Sequence, residues 1–426
     1  MDEAKIKITD KCRVCGSENL SSILSLGELH VSDFLDAADM DMAEKAPLEL
    51  VLCEESSGGC GLLQLKHTVP NETLYRNYWY RSGMNKTMTD ELVGIAKKVE
   101  SLVDFKSGDF VLDIGANDGT LLRGYSVPGI NKIGFEPAKN LDKWNLDGTT
   151  KIIPEFFNHN DWQKEFGETK AKAITAIAMF YDLEEPNEFI ADIVKSLHKD
   201  GVFIIQMSYL PLMLSQNAFD NICHEHLEYY SLLSLENLLR RHNLEVFDVE
   251  LNDVNGGSFR IYIKHKDGGG GINVSKKAER RLDYLRNRER ELELNKRGIY
   301  DEFAERIYKI KDSVSNFIKG EVQKGKKIHV YGASTKGNTL LQYFNLDNTL
   351  IKAAAERNAD KWGRKTVGTL IPIISEEQAR SEKPDYFLIL PWHFIKEFRE
   401  READYLKNGG KFIVPLPEFL IIEENN

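Results

Sequence analysis

Residues 110 to 122 read "FVLDIGANDGTLL", an apolar strand running into a glycine loop and the start of a helix, and no other stretch restricts the fold so strongly. Asp113 closes the strand, while Gly115 and Gly119 let the backbone approach a ligand at the carboxyl edge, where open α/β sheets hold cofactors. The segments "NKIGFEP", "KAITAIAMF" and "GVFIIQMS" continue the pattern of apolar strands separated by helical stretches, which predicts a doubly wound parallel sheet. "LEVFDVELN" and "GGSFRIYIKH" read as an antiparallel pair ending that sheet. Glu136 follows Asp113 by 23 residues, the place from which a carboxylate accepts both ribose hydroxyls. The loop is Gly-x-Asn-Asp-Gly rather than Gly-x-Gly-x-x-Gly, which disfavours a dinucleotide and suits a cofactor with ribose but no phosphate.

The strand-loop-helix pattern recurs at "VYGASTKGNTLLQYF". Gly332 to Thr339 fit the frame of a phosphate loop, but Asn338 stands where its lysine is required and Lys336 comes two residues early. Nucleoside triphosphate hydrolysis is therefore a poor reading. Backbone N–H groups with Ser334, Thr335 and Lys336 can instead cradle a diphosphate, and the basic group Arg357, Lys361, Arg364 and Lys365 suits a phosphorylated ligand or a solvated loop. Between the two α/β units, "DGGGG" at 267–271 marks a break, and the charge-rich, proline-free stretch 275–325 reads as one long helix or a pair.

Four of the five cysteines lie in the first 60 residues, as "CRVC" and "CEESSGGC". Cys12, Cys15, Cys53 and Cys60 suit a closed structural zinc site, the alternative being reduced pairs or a disulfide. The expected organisation is a zinc module over 1–70, a cofactor-binding α/β domain with an aromatic connector over 71–272, and a helical spacer with a second Rossmann-like α/β domain over 273–426. A net charge of −11 argues against a nucleic-acid partner. No apolar run is long enough to span a bilayer and "MDEAKIKITD" lacks a signal-peptide core, so a cytoplasmic protein is expected, with a monomer compatible with the sequence.

"NICHEHLEYYS" at 221–231 concentrates His224, Glu225, His226, Glu228, Tyr229 and Tyr230. Its two histidines are spaced i, i+2, not the i, i+4 of zinc proteases, which tells against a second metal site and leaves a catalytic base or a buried polar network open.

"DIGANDGTLL" with "GFEP" resembles the first two motifs of class I S-adenosylmethionine-dependent methyltransferases. With the cysteine module, the "YWYRS" connector, "HEHLEYYS", "NGGSFR", "GASTKGNT" and "PDYFLILPWHF", nearly the whole chain resembles the nucleotide-sugar C-methyltransferases that build branched deoxysugars. The resemblance implies a small-molecule substrate, a nucleoside-diphosphate 4-keto-6-deoxyhexose methylated at C3, and a structural Zn²⁺. It makes His226 the base beside Glu225, with Tyr229 or His224 donating toward the oxyanion. The cofactor would meet Tyr80, Asp113, Gly115, Asn117, Asp118, Gly119, Glu136 and Pro137, although Asn117 and Asp118 can equally hold the loop. The sugar nucleotide would meet Tyr78, Tyr230, Gly332, Ser334, Thr335, Lys336, Asn338, Arg357 and Arg364. This chain departs from the family at Cys223, where a tyrosine is expected, and at Tyr181 and Asp182, where a histidine is expected. An O- or N-methyltransferase, or a nicotinamide-dependent dehydrogenase or epimerase, is the alternative.

Overall fold

A computed structural model describes residues 6–36, 44–75, 78–268, 272 and 274–424. The first five residues, Arg76 and Asn77 of the connector, and most of the glycine break at 267–271 lie outside the described residues. Strands β1 (Leu20–His30), β2 (Lys45–Cys53) and β3 (Leu63–Leu65) begin an antiparallel sheet. Helix α1 (Lys86–Leu102), capped by the Asn85 side chain on the N–H groups of Thr87 and Met88, follows the connector. Next come β4 (Phe110–Ile114), β5 (Asn131–Phe135), β6 (Lys151–Ile153), β7 (Ala171–Ile177) and β8 (Leu197–Ser208), then the short β9 (Glu228–Tyr229) and helix α2 (Leu232–Arg240). Strands β10 (Leu244–Asn252) and β11 (Ser258–His265) precede helices α3 (Lys276–Glu291) and α4 (Gly298–Gln323).

The central sheet runs β10-β11-β8-β7-β4-β5-β6, parallel except for β11, which is antiparallel to both neighbours. Continuous apolar runs such as "FIIQM" form its middle strands because helices cover both faces. The order reverses between β4 and β7, so their carboxyl ends open a crevice there.

The last unit comprises β12 (Ile328–Tyr331), helix α5 (Thr335–Tyr343), β13 (Ala354–Glu356), β14 (Ile373–Ser375), β15 (Tyr386–Ile389), β16 (Lys411–Val414) and β17 (Leu420–Ile422). Its sheet order is β14-β13-β12-β15-β16-β17, with a second reversal between β12 and β15. The sequence pattern thus anticipates both doubly wound sheets.

The helical stretch is a pair, and its two members serve different units. Helix α3 joins the central sheet: Arg281 pairs with Asp248 of β10 at 2.6 Å, and Glu289 accepts the N–H groups of Leu232 and Leu233 at the start of α2. Helix α4 instead buries Phe303, Ile307, Val314 and Ile318 in a core that runs from Leu24, Leu48 and Leu65 of the first sheet to Val330 and Leu388 of the last.

One long-range pairing ties the first sheet to the centre of the molecule. Strand β9 completes it by pairing Glu228 with Gln64 and Tyr229 with Leu63. On the module side, Arg13 donates to Leu65 O at 2.7 Å and Thr68 Oγ1 at 2.7 Å, and its Nε lies 3.6 Å from Glu228, both side chains being almost wholly buried. Burial pushes the Glu228 carboxyl up and Arg13 pulls it back. Removing one partner of such a buried pair costs about 3–5 kcal/mol. Arg13→Met should therefore lower the melting temperature by several degrees or more, and Arg13→Met with Glu228→Leu should recover part of the loss in thermal denaturation.

Candidate active site and zinc cluster

The "CRVC" turn places Cys12 and Cys15 against Cys53 and Cys60, with all four Sγ atoms within 4.8 Å of one another. The Cys12–Cys60 and Cys15–Cys53 sulfurs are 3.5 Å apart, near the edge of about 3.8 Å that a tetrahedron with 2.3 Å Zn–S bonds requires. The N–H groups of Cys15 and Cys60 point at Cys12 Sγ and Cys53 Sγ, which suits thiolates. "SSGG" makes the excursion before Cys60: Gly58 is left-handed, and a Cβ on Gly59 would lie 2.6 Å from Cys53 Sγ. Among the described residues no second group of three or more ligand side chains converges.

A cavity of about 790 Å³ opens over the reversal of the central sheet and extends to the loop of the last unit. On its cofactor side lie Tyr80, Asp113, Gly115, Asn117, Glu136 and Pro137. Glu136 stands at the tip of β5, where its two oxygens accept Asn117 N at 2.7 Å and Ala138 N at 2.9 Å. Each oxygen keeps a lone pair for a ribose hydroxyl, so the residues present fit a nucleoside cofactor. Asp113 accepts from Thr175 Oγ1 at 2.6 Å and is pushed up to about 7 by burial, partly opposed by that bond. A Cβ on Gly115 would crowd Met179 at 3.2 Å.

Two expected cofactor residues serve the scaffold. Asp118 accepts Gly83 N at 2.8 Å and Thr120 Oγ1 at 2.6 Å and does not line the cavity. Asn117 reaches the cavity, but its amide accepts Ser82 N at 2.9 Å and donates to Tyr80 O at 3.1 Å, holding the connector across the loop. Gly119 lies away from the cavity as well, since a side chain there would strike Asn145 O at 3.0 Å.

The "HEH" segment divides by direction. His226 and Glu225 face the cavity. His226 Nδ1 donates to Asn221 O at 2.8 Å, which leaves the Nε2 lone pair without a protein partner among the described residues. The Tyr181 ring packs on this imidazole at 4.3 Å between centroids. Burial, then Lys336, lowers His226 to about 3, so the imidazole is neutral at physiological pH. Burial raises Glu225 to about 7 and pushes its neighbour Asp182 well above the carboxylate range. His224 turns away and donates from Nε2 to Ala46 O at 3.0 Å in β2, outside the cavity. Tyr229 bonds Asn221 O at 3.4 Å from behind, and Tyr230 is fully buried against Phe180. These three are supports rather than cavity groups. Glu228 faces Arg13 and does not orient the imidazole.

In the last unit Gly332, Ser334, Thr335, Lys336 and Arg357 line the cavity, with Tyr78 of the connector opposite. Ser334 also caps α5 by accepting Gly337 N at 3.0 Å. Asn338 and Arg364 do not line it. Asn338 donates to Asp33 O at 3.1 Å, and Arg364 donates to Phe34 O at 3.2 Å and lies over Trp79, so both bind the last unit to the first module. A second cavity of about 760 Å³, between these two units, shares Tyr78, Glu225, Ser334, Thr335 and Arg357 with the first. Sequence reasoning missed Asn221, Tyr75, Asp220 and His393, the last three of which line the main cavity. The adjacent polar pair in "FDN" was the only local signal.

Three family models match in tandem: "Putative zinc binding domain" over 12–75, "Methyltransferase domain" over 80–249 and "C-methyltransferase C-terminal domain" over 253–417. C-methyltransferase NovU of Streptomyces niveus is 29% identical over 425 residues, covering 98% of each chain. Among solved structures, the PH0226 protein from Pyrococcus horikoshii OT3 matches with a TM-score of 0.35 at 13% identity, over 44% of this chain and 95% of that one. An S-adenosylmethionine-dependent methyltransferase from Clostridium acetobutylicum matches at 0.32 and 16% identity, over 42% and 91%. The chain is a class I methyltransferase with S-adenosylmethionine as cofactor and a structural Zn²⁺ module. Within that class, its last domain matches the C-methyltransferase model and its whole length is similar to a C-methyltransferase.

Cys53→Ser should abolish stoichiometric zinc in metal analysis of the purified protein and lower its melting temperature. Glu225 carries a pH signature as well. Its folded carboxyl near 7 exceeds the ordinary 4.5, so the folded state binds its proton more tightly and this residue's contribution falls as pH rises from about 4.5 to 7. Glu225→Gln should leave the melting temperature unchanged at pH 4.5 and raise it at pH 8, by up to about 3 kcal/mol in stability.

Proposed function

We propose that the enzyme methylates C3 of a nucleoside-diphosphate 4-keto-6-deoxyhexose, with His226 as the base. The observation that carries this reading is one cavity joining the cofactor crevice to the phosphate-type loop, with the free Nε2 of a tautomer-fixed histidine between them. Loop 332–335 and Arg357 would take the diphosphate, and Tyr75, Tyr78 and Tyr181 would surround the sugar.

A carbon beside a ketone becomes nucleophilic once its proton is removed. Nε2 of His226 accepts the C3 proton, the C–H electron pair moves into the C3–C4 bond, and the carbonyl π pair moves onto oxygen. Bound S-adenosylmethionine supplies an electrophilic methyl group on sulfur. C3 then takes that methyl while the carbonyl re-forms, giving S-adenosylhomocysteine and the branched ketosugar. A neutral imidazole suits the step because the enolate it creates is itself the anion that stabilises the imidazolium in a dry cavity. Glu225, ionising near neutrality beside it, adds a second negative charge. Its carboxylate is the other candidate base, since a pKa near 7 suits general-base work.

Incubating the enzyme with thymidine- and uridine-linked 4-ketosugars in D₂O without methyl donor should wash deuterium into C3, and adding the donor should give a C-methylated product by NMR. His226→Ala should slow both by about 10²–10⁴-fold while S-adenosylhomocysteine affinity stays within a few-fold. Glu225→Gln should slow exchange less than His226→Ala does. The reverse order makes Glu225 the base, and a product methylated on oxygen or nitrogen refutes the reading.

A further inference from the structure

The lysine of the second loop does not point along the loop. Lys336 leaves the first turn of α5 and reaches into the methyltransferase domain, where its ammonium donates to Asn221 Oδ1 at 2.6 Å. The carbonyl of that same Asn221 accepts His226 Nδ1 at 2.8 Å. The ammonium and the imidazole are thus fixed on one residue. Ser208 Oγ lies 3.2 Å from the same amide oxygen and Asn221 Nδ2 donates to Ala218 O at 2.9 Å, so the amide cannot turn without losing its partners.

The surroundings decide which part of a sugar nucleotide such an ammonium meets. Asp182, Asp220 and Glu225 line the same end of the cavity, and Lys336 acts electrostatically on all three. A diphosphate placed there would bring at least two negative charges against three carboxyl groups. It has another place. Ser334, Thr335 and Arg357 line both cavities, whereas Lys336 lines only the one that holds His226. Arg357 is exposed, and its guanidinium has no side-chain partner among the described residues.

Resting on the reading above, we propose that Lys336 is a catalytic residue that binds the C4 ketone oxygen and holds the oxyanion of the enolate, while the diphosphate lies toward Arg357. In that role it acts across the domain boundary: one unit supplies the base and the other supplies the positive charge that receives the electron pair. As His226 takes the C3 proton, the carbonyl π electrons move onto the oxygen facing the ammonium. They return to the carbonyl as C3 takes the methyl group, and Lys336 neither gains nor loses a bond to carbon. A preorganised contact of this kind is worth about 10²–10³-fold in rate.

The test compares wild type, Lys336→Gln, Lys336→Arg and Arg357→Gln in the full-length zinc-loaded enzyme, with S-adenosylhomocysteine binding as the control for folding. Calorimetry with thymidine and uridine diphosphates reads the phosphate contact, and deuterium exchange at C3 under saturating ketosugar reads the oxyanion contact. Lys336→Gln should lower exchange and kcat by about 10²–10³-fold with nucleoside diphosphate affinity changed less than about threefold. Lys336→Arg should restore part of the rate, and Arg357→Gln should weaken nucleoside diphosphate binding in calorimetry by more than Lys336→Gln does. If Lys336→Gln loses diphosphate affinity and keeps wild-type exchange at saturation, Lys336 is a phosphate ligand and the proposal fails while the methylation reading stands. An adduct at Lys336 trapped by borohydride would overturn it in favour of a covalent role. Absence of exchange in the wild type with every ketosugar would overturn both readings together.

Discussion

The pairing of Glu228 and Tyr229 with Gln64 and Leu63 is the constraint on which the site depends. A strand of two residues has little cohesion of its own, and this one persists because it completes a sheet already built around the cysteine cluster and is bordered by buried Arg13. Upstream of β9, the turn closed by His226 N on Cys223 O at 3.1 Å brings Glu225 and His226 back over the cavity, while His224 anchors in β2. The zinc module therefore does its work at a distance: a closed four-thiolate site has no open coordination position, but it holds the strand that follows Glu225 and His226.

The electrostatics of the cavity follow from the same burial. Asp182, Asp220, Glu225, His226, His393 and Lys336 line the same cavity, and all but the lysine are shifted by burial. Desolvation acts in opposite senses on the two kinds of group, raising the acids and lowering His226 and His393, so the cavity lowers its total charge at neutral pH by keeping imidazoles neutral and carboxyls partly protonated. That state is suited to chemistry in which charge is created on the substrate, since each new charge is felt strongly where the local dielectric is low.

Both sheets and the cofactor loop were legible in the sequence because buried parallel strands read as apolar runs and glycine loops mark their carboxyl ends. The cysteine cluster was legible too, its long second spacing being the turn that Gly58 and Gly59 permit. The orientation of each polar side chain was not, because it depends on contacts between distant parts of the chain. His224, Tyr229 and Tyr230 look equivalent to His226 until β9 is paired with β3. Asn338 and Arg364 sit in two segments that suit phosphate, yet their partners are Asp33 and Phe34 of the first module. Asn117 and Asp118 could bind cofactor or hold the loop, and their side chains hold the connector.

The two α/β units solve one structural problem in the same way. At the tip of its second strand, Glu136 accepts a loop N–H from Asn117 at 2.7 Å and one from Ala138 at 2.9 Å. Glu356, at the tip of β13, accepts Ala333 N at 3.0 Å and the N–H groups of Arg357 and Asn358 at 2.8 Å. In each case a carboxylate that lines the cavity braces the glycine loop of the neighbouring strand. What differs is the residue that leaves the loop. In the first unit it is Asn117, turned back onto the connector that covers the cofactor crevice; in the second it is Lys336, turned outward into the other domain. A shared scaffold thus closes one loop upon itself and opens the other onto the neighbouring domain, which is why the His226 imidazole and the Lys336 ammonium come from different units yet meet on a single asparagine.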